Sequence, residues 1–319
     1  MSVGSAAVRP GSPPAVGARM RSGGAQRLAA DILGLSPALL LYGVFIVVPM
    51  LFALVLSFTR WNVVGPIRWA GFANWQLLFS DPLAHGALLT TIELAGLSWV
   101  VQTPLAMALG IFIAGRQRYR AVYASIYLLP LLMSTAALAL MWQGVLAPTF
   151  GGMAFIARNL HLGFLDQNWL GDPRLTFYVI IGLVTWQFVP LHTLLYQAGR
   201  RAIPNELYEA IRIDGAGPLQ TFFYVTLPQL RYTIVTDTIL ILTGSLTYFD
   251  IIYILTQGGP ANTTLVLAMD MYNVGFAQTL FGYASVLAVV LGALGIAVAL
   301  VLVRLTGFGS MRSGQEGIS

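Results

Sequence analysis

The stretch Asn205-Glu-Leu-Tyr-Glu-Ala-Ile-Arg-Ile-Asp-Gly-Ala-Gly217 is a polar island in a chain that is otherwise mostly apolar. Asn205 can cap a short helix, because its side-chain oxygen accepts hydrogen bonds from the first free backbone N–H groups. Apolar residues then recur at i, i+3 and i+4 and form one face, and Gly215 can end the helix in the left-handed conformation. Pro218 can begin a second short helix, which Leu227-Pro228 closes. The pattern predicts a compact helix–turn–helix exposed at a membrane surface.

The composition around this island is that of an integral membrane protein. Of the 319 residues, 57% are hydrophobic and only 9% are charged, and the mean hydropathy is +0.76. A soluble domain carries about 25% charged residues. The chain has no cysteine, so neither a disulfide framework nor thiol chemistry is available to it.

Six segments are long and apolar enough to cross ~30 Å of hydrocarbon at ~1.5 Å per residue of helix. We predict transmembrane helices at residues 35–58, 88–114, 121–147, 176–196, 233–255 and 283–305. Residues 265–278 are interrupted by Asp270 and Asn273, which favours a short outer or re-entrant helix over a seventh span. The predicted membrane domain therefore covers residues 35–305.

The arginines predict the orientation of these spans, and every basic residue is an arginine. With six spans and a cytoplasmic N-terminus, all of them except Arg60, Arg68, Arg158 and Arg174 lie on the cytoplasmic side. This asymmetry is typical of membrane proteins and explains the basic balance without nucleic acid. It predicts that both termini are cytoplasmic tails, of residues 1–34 (disordered) and 306–319. The loop of residues 199–232, which contains the polar island, is then cytoplasmic too.

Three motifs in this loop carry a resemblance to a known family. Tyr208-Glu209-Ala210, Asp214-Gly215-Ala216 and Leu227-Pro228 resemble the cytoplasmic signature loop of binding-protein-dependent ABC importer permeases. The chain departs from the family pattern at Ile211, where the family usually has alanine, and at Tyr232, where it often has proline. The resemblance implies an all-α polytopic protein with six transmembrane helices and the type I ABC importer permease fold. It also implies a multi-pass location in the bacterial cell (inner) membrane.

The resemblance further implies how the chemistry is divided among subunits. The phosphate-binding loop of an ATPase needs a lysine to reach the β- and γ-phosphates, and this chain has no lysine. ATP and Mg²⁺ are therefore expected on a partner ATPase, present in two copies, and no cofactor is expected on this chain. The other expected partners are a homologous second permease, an extracellular or periplasmic solute-binding protein and the lipid bilayer.

We predict neither an enzyme active site nor a metal site. His85, His161 and His192 are the only histidines, and they do not form a ligand-spaced pair. His192 falls in the fourth predicted span, where a packing role is expected. Two ionisable residues in the spans, Glu93 and Asp237, are expected to reach the membrane interface.

Within the loop of residues 199–232, the resemblance implies that a short helix transmits the movement of the ATPase. Glu209 is expected to bind a basic group of that partner, Asp214 and Gly215 to fix the turn, and Tyr208 and Ile211 to supply apolar contact. The alternative is that Glu209 pairs with Arg212 at i, i+3, which is worth ~0.2–0.5 kcal/mol. The expected coupling residues are Tyr208, Glu209, Ala210, Asp214, Gly215, Ala216, Leu227 and Pro228.

Hydroxyl groups lie beside aromatic rings in the outer half of the fifth predicted span. This combination suits a sugar, whose ring face stacks while its hydroxyls take hydrogen bonds; core packing is the alternative. In maltose-type members of the family, sugar contacts come from the fourth and fifth spans, at positions that correspond to Gln187, Leu191, Ser245 and Tyr248. Leu191 and Gln187 depart from the family's residue types. The expected substrate path consists of Gln187, Leu191, Ser245, Tyr248, Phe249 and Asp250.

The predicted function is therefore the permease subunit of an ABC importer for a mono- or oligosaccharide. Phe249-Asp250 and Gly258-Gly259-Pro260 look most like the carbohydrate branch of the family, which glycerol phosphate carriers share. A glycerol-3-phosphate-type permease is therefore the first alternative. A proton-coupled secondary transporter, with Glu93 or Asp250 as the proton relay, is a second alternative that would work without an ATPase.

Overall fold

The computed structural model describes residues 24–115 and 120–306, so predictions on the rest of the two tails lie outside the described residues. The helices are α1 (Gly24–Tyr42), α2 (Val48–Leu56), α3 (Ala73–Ser80), α4 (Pro82–Ala114), α5 (Arg120–Leu132), α6 (Thr135–Val145), α7 (Gly152–Asn159), α8 (Thr176–Ala202), α9 (Asn205–Ile213), α10 (Pro218–Thr221), α11 (Leu227–Gln229), α12 (Arg231–Ser245), α13 (Asp250–Leu255), α14 (Leu267–Tyr272) and α15 (Phe281–Thr306). Short π-helical or 3-10 turns lie at Gly43–Val47, Gly163–Leu165, Phe222–Thr226 and Asn273–Ala277. The strands β1 (Thr59–Arg60) and β2 (Arg68–Trp69) pair antiparallel.

Four continuous helical stretches are long and apolar enough to span a membrane: Leu33–Leu56, Pro82–Ala114, Thr176–Ala202 and Phe281–Arg304. A fifth candidate is the pair Ser125–Leu132 and Thr135–Val145, which is bent by 103°. The predicted fifth span, residues 233–255, is divided between α12 and α13, and neither helix is long enough alone. Among the described residues there are thus four or five candidate spans where the sequence predicts six.

Helix α1 begins earlier than the sequence predicts. Residues 24–34, predicted as the end of a disordered tail, are helical. Alanine, leucine and arginine dominate this stretch, and each has a high intrinsic helix propensity. The glycine, proline and serine that suggested disorder are concentrated further towards the N-terminus.

Hydrogen bonds of side-chain hydroxyls explain both breaks in the predicted spans. Ser134 has an extended backbone and accepts from the N–H of Ala137 at 3.2 Å, so it caps α6 and begins a new helix. Between α12 and α13, Ser245 donates to the carbonyl of Ile241 at 2.7 Å, and Thr247 makes the same kind of bond to the preceding turn. Hydroxyls that bind nearby carbonyls in this way often bend or interrupt helices.

The most extensive helix–helix contact in the described part of the chain is between α4 and α8. Gly110 permits the close approach. A Cβ atom added there would lie 2.6 Å from the Cβ of Tyr196 and 2.8 Å from the carbonyl oxygen of Thr193. Small residues at helix interfaces let the backbones approach in this way within a bilayer. This close contact holds α8 against α4.

The candidate spans differ in how much of their surface the chain itself covers. In Thr176–Ala202, 56% of the most apolar stretch of 18 residues is buried, whereas in Phe281–Arg304 only 11% of the corresponding stretch is buried. An apolar helix surface of this size needs lipid or another subunit against it. This surface agrees with an integral multi-pass membrane protein.

Helix α14 is short, as the interrupted sequence of residues 265–278 predicts, and its first four residues are buried. Asp270 is 1% exposed, and its Oδ2 atom has no hydrogen-bond partner among the described residues. Nearby, Asp81 caps α4 and accepts a hydrogen bond of 2.7 Å from the hydroxyl of Tyr283. Burial, and secondarily the charge of Asp81, raises the pKa of Asp270 to about 6 from 3.8.

We expect this raised pKa to make the folded protein more stable in mild acid. The folded state keeps the proton of Asp270 up to about pH 6, while the unfolded state releases it near pH 3.8. Stability therefore falls as the pH rises between these values, by about 3 kcal/mol in total. Thermal unfolding in detergent should give a higher midpoint at pH 5 than at pH 8, and Asp270→Asn should remove most of the difference. Equal midpoints for the wild type at both pH values would contradict this assignment.

Candidate functional site

The first helix of the signature loop (residues 199–232) is α9, which ends as the sequence predicts but begins differently. Pro204, with φ near −56°, occupies the cap position, and no side chain caps the helix. Asn205 lies in the first turn, so the prediction that it caps α9 is wrong, because the preceding proline already sets the turn into the helix. At the other end Gly215 has φ +78°, and its N–H donates to the carbonyl of Arg212 at 3.0 Å.

The second helix of the signature loop, α10, begins at Pro218 as predicted. The side chain of Gln220 accepts from the N–H of Gly217 at 2.9 Å, a capping contact that the sequence reasoning missed. Leu227-Pro228 does not close this helical segment, contrary to the prediction. Pro228 lies in the first turn of α11, where a missing N–H is tolerated, and the break before α12 comes at Leu230.

Tyr208 holds α9 to its own chain. It is 7% exposed, its hydroxyl lies 3.1 Å from the Oγ1 of Thr226, and the guanidinium of Arg200 lies 3.7 Å from the centre of its ring. These contacts join α9 to the end of α8 and to the π turn before α11. Tyr208 therefore does not offer the apolar partner surface that the sequence predicts.

Four other apolar side chains of the signature loop, all within residues 213–224, are exposed, and this exposed patch was not identified by the sequence reasoning. Their exposed fractions are 86% for Ile213, 75% for Leu219, 56% for Phe223 and 74% for Tyr224. Ile213 lies directly before the predicted turn and belongs to none of the three motifs of the loop. Exposed apolar groups of this density mark a contact surface.

Glu209 is exposed and has neither an ion pair nor a hydrogen bond with any described residue. In particular, it forms no ion pair with Arg212, so the alternative of a local i, i+3 pair is not observed. Ala210, Asp214 and Pro228 are also exposed, and Ala216 and Leu227 are half-buried. The carboxylate of Glu209 is thus available to a basic group outside the chain.

A cavity of about 310 Å³ lies where α12 gives way to α13. It collects four of the six predicted substrate-path residues, namely Leu191, Tyr248, Phe249 and Asp250. The ring of Tyr248 stacks on Phe188, with 5.4 Å between ring centres and 17° between planes. The cavity lining is Thr135, Phe188, Leu191, His192, Leu240, Gly244, Thr247, Tyr248, Phe249, Asp250 and Ile251.

The other two predicted substrate-path residues are used within the protein and do not line this cavity. Ser245 is 1% exposed, and its hydroxyl donates to the carbonyl of Ile241. Gln187 is 3% exposed, and its amide donates to the Oγ1 of Thr135 at 2.9 Å.

Two ionisable residues behave differently from each other. Glu93 is exposed, in keeping with a position at the surface of the span. Asp237 is 0% exposed and binds His192 and Tyr196, so the prediction that it reaches the interface is wrong. The two partners on α8 remove the need for Asp237 to reach water. In the described part of the chain, no group of three or more acidic, histidine or cysteine side chains could hold a metal ion.

Comparison with known proteins identifies the family. Residues 106–307 match the family model described as "Binding-protein-dependent transport system inner membrane component". The chain is 34% identical over 265 residues to the probable ABC transporter permease protein PH1215 of Pyrococcus horikoshii, covering 82% of this chain and 89% of the relative. It is 32% identical over 243 residues to the trehalose/maltose transport system permease protein MalF of Thermococcus litoralis, covering 75% and 82% respectively.

A solved structure has the same fold. A chain in the crystal structure of a bacterial alginate ABC transporter, in complex with a pentasaccharide-bound periplasmic protein, superimposes with a TM-score of 0.76 at 21% identity. The match covers 88% of this chain and 95% of the other. The family is one of membrane transport subunits and not of catalytic enzymes. This chain therefore belongs to the binding-protein-dependent transport system inner membrane components and is an ABC transporter permease of the group that serves sugar importers.

Proposed function

We propose that this chain is the permease subunit of an ATP-driven importer of a mono- or oligosaccharide and forms half of the translocation path. The observation that carries the sugar assignment is the cavity at the break between α12 and α13. It combines the aromatic faces of Tyr248 and Phe249 with the carboxylate of Asp250 and the hydroxyl of Thr247. A few polar groups set among apolar and aromatic ones are typical of small-molecule sites.

The cavity volume supports a shared path. At about 310 Å³, it lies at the lower end of the range for ligand sites, ~300–1,000 Å³. A homologous second permease that contributes the opposite wall would enlarge it to hold an oligosaccharide. The largely exposed surface of Phe281–Arg304 is available for that subunit or for lipid.

The lining argues against the glycerol-3-phosphate alternative. None of the residues around the cavity is an arginine, and Asp250 would repel a phosphate. Phosphate sites in proteins often use arginine or lysine. The N-terminus of α13 borders this cavity, but Asp250 in its first turn opposes an anion there. For a proton-coupled transporter, no described acidic residue other than Asp250 lines the cavity, and the exposed signature loop would have no role.

The proposed assembly contains two copies of an ABC ATPase, which bind ATP and Mg²⁺, and a periplasmic or extracellular solute-binding protein. The exposed patch of Ile213, Leu219, Phe223 and Tyr224 would dock on an ATPase, and Glu209 would bind a basic group there. This arrangement requires the signature loop and both termini to be cytoplasmic, in a bacterial inner membrane.

We expect Tyr248→Ala to lower sugar uptake by the assembled importer about tenfold, because an aromatic contact contributes ~0.5–1.5 kcal/mol beyond its area. Tyr178→Ala is a matched control, since Tyr178 lies on α8, is 66% exposed and does not line the cavity. Uptake of radiolabelled maltose, trehalose, lactose and arabinotriose into proteoliposomes measures the effect. If neither the wild-type importer nor the Tyr178→Ala control takes up any of the four sugars, while an unrelated solute is transported, the sugar assignment is overturned.

A further inference from the structure

Three buried polar side chains meet between α8 and α12. The Nδ1 atom of His192 lies 2.7 Å from Oδ1 of Asp237, and the hydroxyl of Tyr196 donates to Oδ2 of the same carboxylate at 2.8 Å. His192 is 4% exposed, and the other two residues are fully buried. The cluster joins two helices that are 45 residues apart in the sequence at this point.

The geometry determines how the imidazole ring is used. Both oxygens of Asp237 face a polar neighbour, and a buried carboxylate requires donors there. The Nδ1 atom of His192 therefore carries a proton and donates it to Asp237. This leaves the Nε2 atom, which has no hydrogen-bond partner among the described residues.

The same histidine lines the sugar cavity, together with Leu191, Tyr248 and Asp250. Asp237 and Tyr196 do not line the cavity. A ring nitrogen buried in apolar packing without a partner would cost ~1–3 kcal/mol. A ring nitrogen that faces a wet cavity avoids this cost, because water or a sugar hydroxyl completes its hydrogen bond.

We propose that His192 is a sugar-binding residue whose Nε2 atom forms a hydrogen bond with a hydroxyl of the transported sugar. Asp237 and Tyr196 are positioning residues: they fix the orientation and the Nδ1 proton of the ring. The inference rests on the proposed function, since it places one more contact in the cavity assigned to sugar. It differs from a structural role for the cluster, in which only the Nδ1 contact with Asp237 matters.

Two substitutions separate these roles, because each amide replaces a different ring nitrogen. His192→Asn puts its amide near the position of Nδ1 and keeps a donor for Asp237, whereas His192→Gln puts its amide near the position of Nε2. We expect His192→Asn to lower uptake about tenfold, the effect of one lost hydrogen bond of ~1–1.5 kcal/mol, and His192→Gln to lower it less. His85→Gln is the matched control, since His85 is exposed and lies in the first turns of α4.

The readout is uptake per ATP hydrolysed, measured in proteoliposomes with the assembled importer and the same four radiolabelled sugars. A lost sugar contact lowers uptake while the ATP hydrolysis stimulated by the solute-binding protein stays within about twofold of wild type. Loss of both activities in parallel, or a larger loss for His192→Gln than for His192→Asn, would assign the cluster a structural role and overturn the inference. Unchanged uptake in both variants would overturn it as well.

A second measurement does not depend on knowing the sugar. The chain has no cysteine, so His192→Cys introduces the single thiol of this subunit. A negatively charged methanethiosulfonate reagent should label it in the assembled importer, with or without ATP. It should not label Val184→Cys, since Val184 lies on the same helix, is fully buried and lines no cavity described here.

The two measurements distinguish the failure of the inference from that of the proposed function. If the wild-type importer takes up none of the four sugars while His192→Cys is labelled, the sugar assignment fails and His192 still lies on an aqueous path. If the sugars are taken up and His192→Cys remains unlabelled in every nucleotide state, the inference fails and the proposed function stands.

Discussion

Sugar uptake should fall roughly a hundredfold or more when Gly215 is replaced by proline, while the protein remains in the membrane. Gly215 has φ +78° in the turn between α9 and α10. Proline fixes φ near −65°, and forcing it into an incompatible position costs ~3 kcal/mol or more. The turn must then reorient α9, and with it Glu209 and the exposed patch that would dock on the ATPase. The measurements are uptake and ATP hydrolysis by the assembled importer.

Gly217→Ala is the matched control for this prediction. Gly217 lies two residues further along the same turn, has an ordinary backbone conformation with φ −74°, and has room for a Cβ atom. It should retain uptake close to that of the wild type. Glu209→Lys should abolish uptake without disturbing the turn, since its carboxylate has no partner in the described chain. Normal uptake with either Gly215→Pro or Glu209→Lys would contradict the coupling role of the loop.

The second large effect is expected at Gly110, where α4 and α8 approach closely. A Cβ atom there would meet the Cβ of Tyr196, the carbonyl of Thr193 and the N–H of Gln197, all within 2.9 Å. Two of these three atoms are backbone and cannot move aside. We expect Gly110→Leu to destabilise the protein by about 3 kcal/mol or more, since overpacking alone often costs 1–3 kcal/mol. The amount of protein in membranes and its thermal unfolding in detergent measure the effect.

Gly96→Leu provides the comparison on the same helix. A Cβ atom at Gly96 meets no other atom within 4 Å, and leucine has a higher helix propensity than glycine. This variant should be as stable as the wild type. Equal stability of the Gly110 and Gly96 variants would show that α4 and α8 do not pack as closely as described.

Local rules predicted the signature loop well. Gly215 and Pro218 mark the end of one helix and the start of the next within a residue, because each fixes the backbone by its own covalent structure. The error at Asn205 has the same origin, since two adjacent residues were both suited to begin α9 and Pro204 occupies the cap. The error at Leu227-Pro228 arises because a proline in the first turn of a helix cannot be distinguished by sequence from one that ends a helix.

The predicted spans were less accurate inside than at their ends. Hydropathy measures whether a segment can lie in hydrocarbon, and it does not measure whether the helix is continuous. The break at Ser134 depends on a hydroxyl that accepts from the N–H of Ala137, and the break after Ser245 on a hydroxyl that donates to the carbonyl of Ile241. Both residues are small and common in membrane helices, so their presence alone indicates little.

The arrangement of the candidate sugar site depends on the rotation of helices against each other. Leu191 and Tyr248 were expected on the substrate path by resemblance to the family, and both line the cavity. Ser245 and Gln187 were placed by the same reasoning, but both are buried, form hydrogen bonds within the protein and are not among the lining residues. The contact between His192 and Asp237 could not be predicted from the sequence, because it depends on the register of α8 against α12.

The buried carboxylate of Asp237 also affects the order in which the protein is assembled. An aspartate opposes the transfer of a helix from the translocon into lipid, by ~2.5–3.5 kcal/mol at the helix centre and by less towards its ends. Its two neutralising partners, His192 and Tyr196, belong to α8 and leave the ribosome first. The fifth hydrophobic segment should therefore insert more favourably once the fourth is in place, and a fragment that lacks α8 should insert it less efficiently.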